Sequence, residues 1–191
     1  EQHLQADADA EKRLISGGCQ HCRAQAAGVE FAHAVGHRAL PRKDHAFGSG
    51  DHCRVGGDND LAAAGDMLER LKNAGLSLSI ATNKRILPTR LILDHLGWSA
   101  YFDHLYALDL FEPRLPNKPT MIARLMTDHA LPADRSIYIG DRSEDGESAD
   151  ANTLPFIAAT WGYGSLEPTE MAAHWRVANT PFDLADALLA G

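Results

Sequence analysis

Two carboxylates four residues apart, Asp141 and Asp145, follow directly on a short apolar run, Ile137-Tyr138-Ile139, that is closed by Gly140. The run suits a buried strand, and the glycine lets the backbone turn sharply out of it. In an open α/β sheet the carboxyl ends of the strands form the ligand crevice. A pair of acids there can hold a hard cation such as Mg2+, which takes oxygen ligands and keeps waters beside one or two carboxylates. Taken alone, Asp145 also suits the first turn of a helix, where the dipole favours an acid. Thr82 and Asn83 end a second apolar stretch, Leu76-Ser-Leu-Ser-Ile-Ala81, and Lys118 lies in a polar loop running from Glu112 to Pro119. A hydroxyl and a side-chain amide bind non-bridging phosphate oxygens, a lysine neutralises them and a nearby carboxylate, and the acid pair holds Mg2+. Together these groups form a set suited to phosphoryl transfer. Singly they have ordinary roles, as a helix N-cap (Thr82), a solvated lysine (Lys118) and a turn residue (Asn83).

To act together, these residues must be carried to one place. Leu61, Met67, Leu68 and Leu71 line one face of a helix over 61–75 closed by Gly75, and a strand over 76–82 follows. Helical spacing of Ile86, Leu87, Leu91, Ile92 and Leu96 predicts a second helix ending at Gly97. A short strand over 105–108, the 112–119 loop and a third helix over 121–129 come next. The strand beginning at Ser136 leads to a short helix reaching Asn152, and a strand over 156–160 leads to Trp161-Gly-Tyr-Gly164. The tail reads as a weak helix, an extended piece around Val177 and a last helix over 182–189. Such alternation predicts a Rossmann-like α/β fold, a mainly parallel sheet covered by helices on both faces, with Thr82, Asn83, Lys118, Asp141 and Asp145 converging at its carboxyl end. The pattern does not suit a Rossmann dehydrogenase, because Gly162-Tyr-Gly164 lacks the third glycine and does not sit in a first strand-to-helix turn.

With 191 residues and 45% hydrophobic content the chain can bury one good core, so one main domain with an appendage is expected. A net charge of -8 carries no nucleic-acid footprint. No apolar run approaches the roughly 18 residues of a membrane span, and no basic-then-apolar secretory signal opens the chain. A cytoplasmic protein is expected. The chain begins at Glu1 without a methionine, as a processed or incomplete product would.

Composition changes near residue 60. All three cysteines (Cys19, Cys22, Cys53) and six of the ten histidines precede it, and Leu, Ile, Val and Phe number only nine in those 60 residues. Residues 1–60 therefore read as an irregular or poorly ordered segment with no convincing strand, and 61–191 as the globular core. Cys19-Gln-His-Cys22 followed by His33 and His37 has the residue types that zinc selects. Only ten residues separate Cys22 from His33, whereas the finger spacing is about twelve, so incidental cysteine and histidine are the competing reading. The odd cysteine count does not suit a disulfide framework.

The strings Ile-Ala-Thr82-Asn-Lys, Asn-Lys118-Pro, Ile-Gly-Asp141-Arg-Ser-Glu-Asp145 and Thr-Trp-Gly-Tyr-Gly164, in that order, resemble the second, third and fourth motifs of the haloacid dehalogenase (HAD) superfamily, closest to its phosphoglycolate phosphatase-like branch. The resemblance covers roughly residues 61–190. It implies a Mg2+-dependent hydrolase of a small phosphorylated metabolite working through an aspartyl-phosphate. Thr82 with Asn83 would bind the transferring phosphoryl group, Lys118 would steady phosphate and nucleophile, Asp141 would ligate Mg2+, and Asp145 would support the metal shell.

The first family motif, an Asp-x-Asp-Gly-Thr-Leu string after an apolar strand, is missing. Asp7-Ala-Asp9 and Asp58-Asn-Asp60 have the acid pair without the strand or the Gly-Thr. The strand that bears this motif lies in mid-sheet in the family, between those ending at Thr82 and Asp141. A substitute is then required for its neighbours' hydrogen bonds, and residues 28–35 are the nearest candidate. The branch's helical cap is not legible in residues 1–60 either, and an incomplete or altered N-terminal reading would account for both absences. Two further possibilities follow: a catalytically silent phosphate- or partner-binding module, and a zinc-dependent N-terminal interaction module.

Overall fold

The computed structural model describes residues 31–35, 58–162 and 166–190. Six strands form one sheet: β1 (Phe31–Val35), β2 (Ser77–Thr82), β3 (His104–Ala107), β4 (Ser136–Gly140), β5 (Phe156–Ala159) and β6 (Arg176–Ala178), in the spatial order β3-β2-β1-β4-β5-β6. Five helices accompany them among the described residues: α1 (Asp58–Asn73), α2 (Ile86–Leu96), α3 (Lys118–Asp128), α4 (Ser143–Asp150) and α5 (Pro181–Leu189).

Side-chain alternation along the strands divides the core between the two faces. Ile137, Ile139 and Ile157 join Met67, Leu68, Leu71, Leu93 and Leu184 on one face, while Tyr138, Phe156 and Ala158 join Met121, Leu125 and Trp175 on the other. Burying Met67, Leu68 and Leu71 of α1 contributes about 1.5–3 kcal/mol each. Helices α1 and α5 pack together, as do α3 and α4, so both faces are covered as expected. The helix ends follow from the sequence. Gly75, at φ +84°, ends the first helical segment with its N–H on Lys72 O (2.9 Å) and the Leu76 N–H on Leu71 O (3.1 Å). Gly97, at φ +71°, repeats the pattern through Asp94 O (3.2 Å) and, from Trp98, Leu93 O (2.8 Å). These are glycine-terminated helix ends in which a left-handed residue satisfies otherwise orphaned carbonyls.

The mid-sheet strand departs from expectation. A strand does occur in the first 60 residues, and it falls within the 28–35 segment proposed as a substitute, yet β1 runs antiparallel to both β2 and β4 with a bulge between Ala32 and Ala34. The facing edges of β2 and β4 need partners for their N–H and C=O groups, and an antiparallel ladder satisfies them as well as a parallel one. Two strands each antiparallel to β1 run the same way as one another. The pairs β2–β3, β4–β5 and β5–β6 are all parallel, so the carboxyl ends of β2 to β6 share one edge of the sheet.

No helix among the described residues is long and apolar enough to cross a membrane.

Candidate active site

Thr82 closes β2 and is buried, with Oγ1 accepting the Lys84 N–H at 3.1 Å, while Asn83 beside it is exposed. Lys118 was expected in a loop. It is instead the first residue of α3, because the Asn117 side chain caps that helix by accepting the Thr120 N–H at 2.9 Å, with Pro119 in the first turn. The cap fixes the Lys118 backbone at the site and turns its long side chain inward, where it is 5% exposed.

Lys118 Nζ donates to Asp145 Oδ1, an ion pair between two buried side chains. Asp145 is at the third position of α4, and its Oδ2 accepts the Arg142 N–H at 3.2 Å, half of a capping box. Burial is the largest influence on the Asp145 carboxyl and pushes its pKa above the ordinary carboxylate value of 3.8. The charge of Asp141 acts in the same direction, and Lys118 and the Arg142 amide oppose both. Gly140 allows this arrangement, since a Cβ there would stand 2.5 Å from Asp145 Oδ2.

Asp141 is half-buried and is the first residue beyond β4. A Cβ on Gly162, in the turn after β5, would stand 2.5 Å from both the Cβ and Oδ2 of Asp141. The bare glycine backbone is therefore the wall against which Asp141 rests. Gly162 was noticed in the sequence as part of a motif, but its partner could not be read there.

A pocket of about 700 Å3 opens beside Lys118, lined among others by Asn83, Leu108, Arg114, Glu144 and Ser148. Arg114, Glu144, Glu147 and Ser148 escaped the sequence reading. The last three lie within three residues of Asp145 on the same short helix, and nothing in their order marks them as lining a pocket. Among the described residues no group of three or more His, Cys, Asp or Glu is arranged to hold a metal. The pair Asp141 and Asp145 nonetheless fits Mg2+, which binds through one or two carboxylates and takes its other oxygens from water and phosphate. Oδ1 of Asp145 already accepts from Lys118 and Oδ2 from the Arg142 N–H.

Of the weaker candidates, Asp58 and Asp60 open α1 instead of ending a strand. Asp7 and Asp9 lie outside the described residues, as do Cys19, Cys22 and His37, and His33 falls within β1.

Comparison with known proteins gives a consistent assignment for the core. Residues 61–159 match the family described as haloacid dehalogenase-like hydrolase. A phosphoglycolate phosphatase of Xylella fastidiosa (strain 9a5c) is 34% identical over 105 residues, 55% of this chain and 45% of that protein. The tyrosine-protein kinase PtkA of Mycobacterium tuberculosis (strain H37Rv) is 31% identical over 103 residues, 54% of this chain and 35% of that protein. Among solved structures, a predicted phosphatase from Clostridium acetobutylicum superimposes with a TM-score of 0.60 at 31% identity, over 66% of this chain and 58% of that one. The chain spans about half the length of the curated relatives it matches, or less.

Proposed function

This chain belongs to the haloacid dehalogenase-like hydrolase family, and we propose that it is a Mg2+-dependent phosphatase acting on a small phosphate monoester. The buried Lys118–Asp145 pair supports this most directly, since desolvating two charges is costly. It is explained when the lysine must be held, charged and immobile, beside an anionic substrate. In this reading the Thr82 hydroxyl and the Asn83 amide bind non-bridging phosphoryl oxygens, and Lys118 neutralises them. Asp141 would hold Mg2+ with Asp145 supporting it, and the bound ion would supply Lewis-acid neutralisation of phosphoryl charge. The covalent route is an aspartyl-phosphate: a carboxylate oxygen attacks phosphorus as the ester oxygen leaves, and water then cleaves the acyl phosphate. Asp7 and Asp9 are the first carboxylates to substitute in search of that nucleophile, although they lack the motif's strand and its Gly-Thr.

A second reading rests on a specific observation. The strand between β2 and β4, Phe31-Ala-His-Ala-Val35, contains no carboxylate and runs away from the site edge. This favours a module that binds phosphate without turnover. Hydrolysis of an aryl phosphate, with Mg2+ or with EDTA and beside Asp141→Asn, separates the two. Turnover that needs Mg2+ and is lost in Asp141→Asn supports the phosphatase. A folded chain that binds orthophosphate without turnover supports the silent module.

A further inference from the structure

We infer that Asp109 is a positioning residue for the loop that follows Thr82: its carboxylate caps α2 from the neighbouring strand and thereby sets Asn83 for phosphate, a role that rests on the phosphate-binding reading of Thr82 and Asn83. Helix α2 has no cap of its own. Arg85, the residue before it, is extended (φ −65°, ψ 146°), its side chain makes no capping hydrogen bond, and the first turn carries no acid. A helix start leaves backbone N–H groups orphaned and favours negative charge. Asp109 meets both needs from 23 residues away, with Oδ1 accepting the Ile86 N–H at 2.9 Å. Its Oδ2 lies 3.6 Å from Arg85 Nε, but that arginine is largely exposed, so the amide hydrogen bond carries the contact.

Asp109 is itself held. Ala107 is the register partner of Thr82 in the β2–β3 ladder, and Asp109 follows two residues later, in the short 3-10 turn Leu108–Leu110. Leu108 is buried there, and its carbonyl accepts the Leu115 N–H at 3.0 Å. The 83–85 loop is therefore tied at each end. Thr82 is buried in the ladder and its Oγ1 accepts the Lys84 N–H at 3.1 Å, while Ile86 is tied to Asp109.

Asn83 stands between these ties and lines the same pocket as Leu108 and Lys118. An amide carried on a loop already fixed on both sides loses little ordering entropy when it takes a phosphate oxygen. The carboxylate also fills the start of α2, the place a free anion would otherwise take, and leaves the pocket side of the loop for the phosphate.

Asp109→Ala and Asp109→Asn test this together. Both remove the same charge, and only asparagine keeps an acceptor for the Ile86 N–H, so the difference between them isolates the hydrogen bond. Calorimetric titration with orthophosphate in the presence of Mg2+ is run beside amide hydrogen exchange at Ile86. The expected result is faster exchange and about tenfold weaker orthophosphate binding in Asp109→Ala than in Asp109→Asn, somewhat more than a typical helix cap alone is worth. A purely structural cap would change the exchange and leave the affinity alone. Equal orthophosphate affinity in the two variants, whatever the exchange, overturns the role of Asp109 and leaves the phosphate site standing. A wild type that binds no orthophosphate overturns the reading of Thr82 and Asn83 and the role of Asp109 with it.

Discussion

Lys118 and Asp145 meet through an ion pair although they lie 27 residues apart, each in the first turn of its own helix. Both helix starts are fixed locally, one by the Asn117 cap and the other by the Asp145 carboxylate itself on the Arg142 N–H. The pair therefore fastens α3 to α4 at the carboxyl edge of the sheet, where Asp141 emerges. It is a contact between two positioned backbones, with little freedom left to either side chain.

Removing one partner should cost more than removing both. Lys118→Met leaves Asp145 buried without its main counter-charge, and a loss of about 3–5 kcal/mol is expected. Lys118→Met/Asp145→Leu should recover much of it, because no lone buried charge remains. In the single variant burial and Asp141 still raise the Asp145 pKa while the opposing lysine is gone. The folded state then holds the Asp145 proton more tightly than the unfolded state, so the penalty sets in as pH rises above 3.8 toward the raised value. Urea unfolding of the three proteins from pH 4 to 7 tests this. A single variant as stable as wild type throughout would show that the pair contributes nothing.

Gly162→Ala should act on the proposed Mg2+ site and leave the hydrophobic core alone. The added methyl would lie 2.5 Å from Asp141 Cβ and Oδ2, so either the Asp141 carboxylate or the 160–162 turn must move. A loss of about 10–100-fold in Mg2+ affinity, the size seen when a ligand's support is disturbed, is expected with a nearly unchanged thermal midpoint. Calorimetric titration with Mg2+ beside a melting curve checks both parts, and an unchanged affinity would show that the turn yields in place of Asp141 or that Asp141 does not hold the ion.

Much of this scaffold could be read from residue order, and the exceptions share a cause. The 86–96 helix and the strand ends at Thr82 and Gly140 carry their own punctuation, in Gly97 and in the small or polar residues that follow the apolar runs. The start of α3 at Lys118 was concealed by the prolines around Asn117, which read as loop until the cap is seen. β1 was concealed more deeply. Its five residues sit in an apolar-poor segment, and their strand conformation comes from the open edges of β2 and β4 rather than from their own pattern. Arg114 belongs to the same class, since its position depends on where Phe111 and Leu115 are anchored.

Asp103 provides a pH-dependent contribution of the opposite sign to Asp145. It accepts from Lys72 Nζ (2.5 Å), Ser77 Oγ (2.8 Å) and the Leu78 N–H (3.1 Å), joining the end of α1 and the start of β2 to the entry of β3. Burial alone would raise its pKa, but those three donors and the Lys72 charge outweigh it and hold the carboxyl below 3.8. Its stabilisation is therefore complete above pH 3.8 and is lost as pH falls through the depressed folded value. Asp103→Asn should lower stability at neutral pH by on the order of 1 kcal/mol, because the site is partly exposed. The difference from wild type should shrink on acidification. A difference independent of pH would show that hydrogen bonding, and not charge, is what Asp103 supplies.

Tyr106 reports on the far end of α3 from Lys118. Its hydroxyl donates to Asp128 Oδ2 at 2.8 Å and lies 3.2 Å from His129 Nε2, while Arg124 Nε holds Asp128 Oδ1 at 2.7 Å. Burial, and then the hydrogen bond to a carboxylate that a phenolate would have to face, push the phenol up to about 12. Asp128→Asn removes the charge and keeps an acceptor, so the hydroxyl can still donate while the repulsion of the phenolate disappears. Its pKa should then fall toward the ordinary value of 10, with burial and the remaining hydrogen bond keeping it above. Ultraviolet titration of phenolate absorbance in wild type, Asp128→Asn and Tyr106→Phe isolates the single transition. If the wild-type transition of Tyr106 is already at 10, the hydroxyl is not held by Asp128.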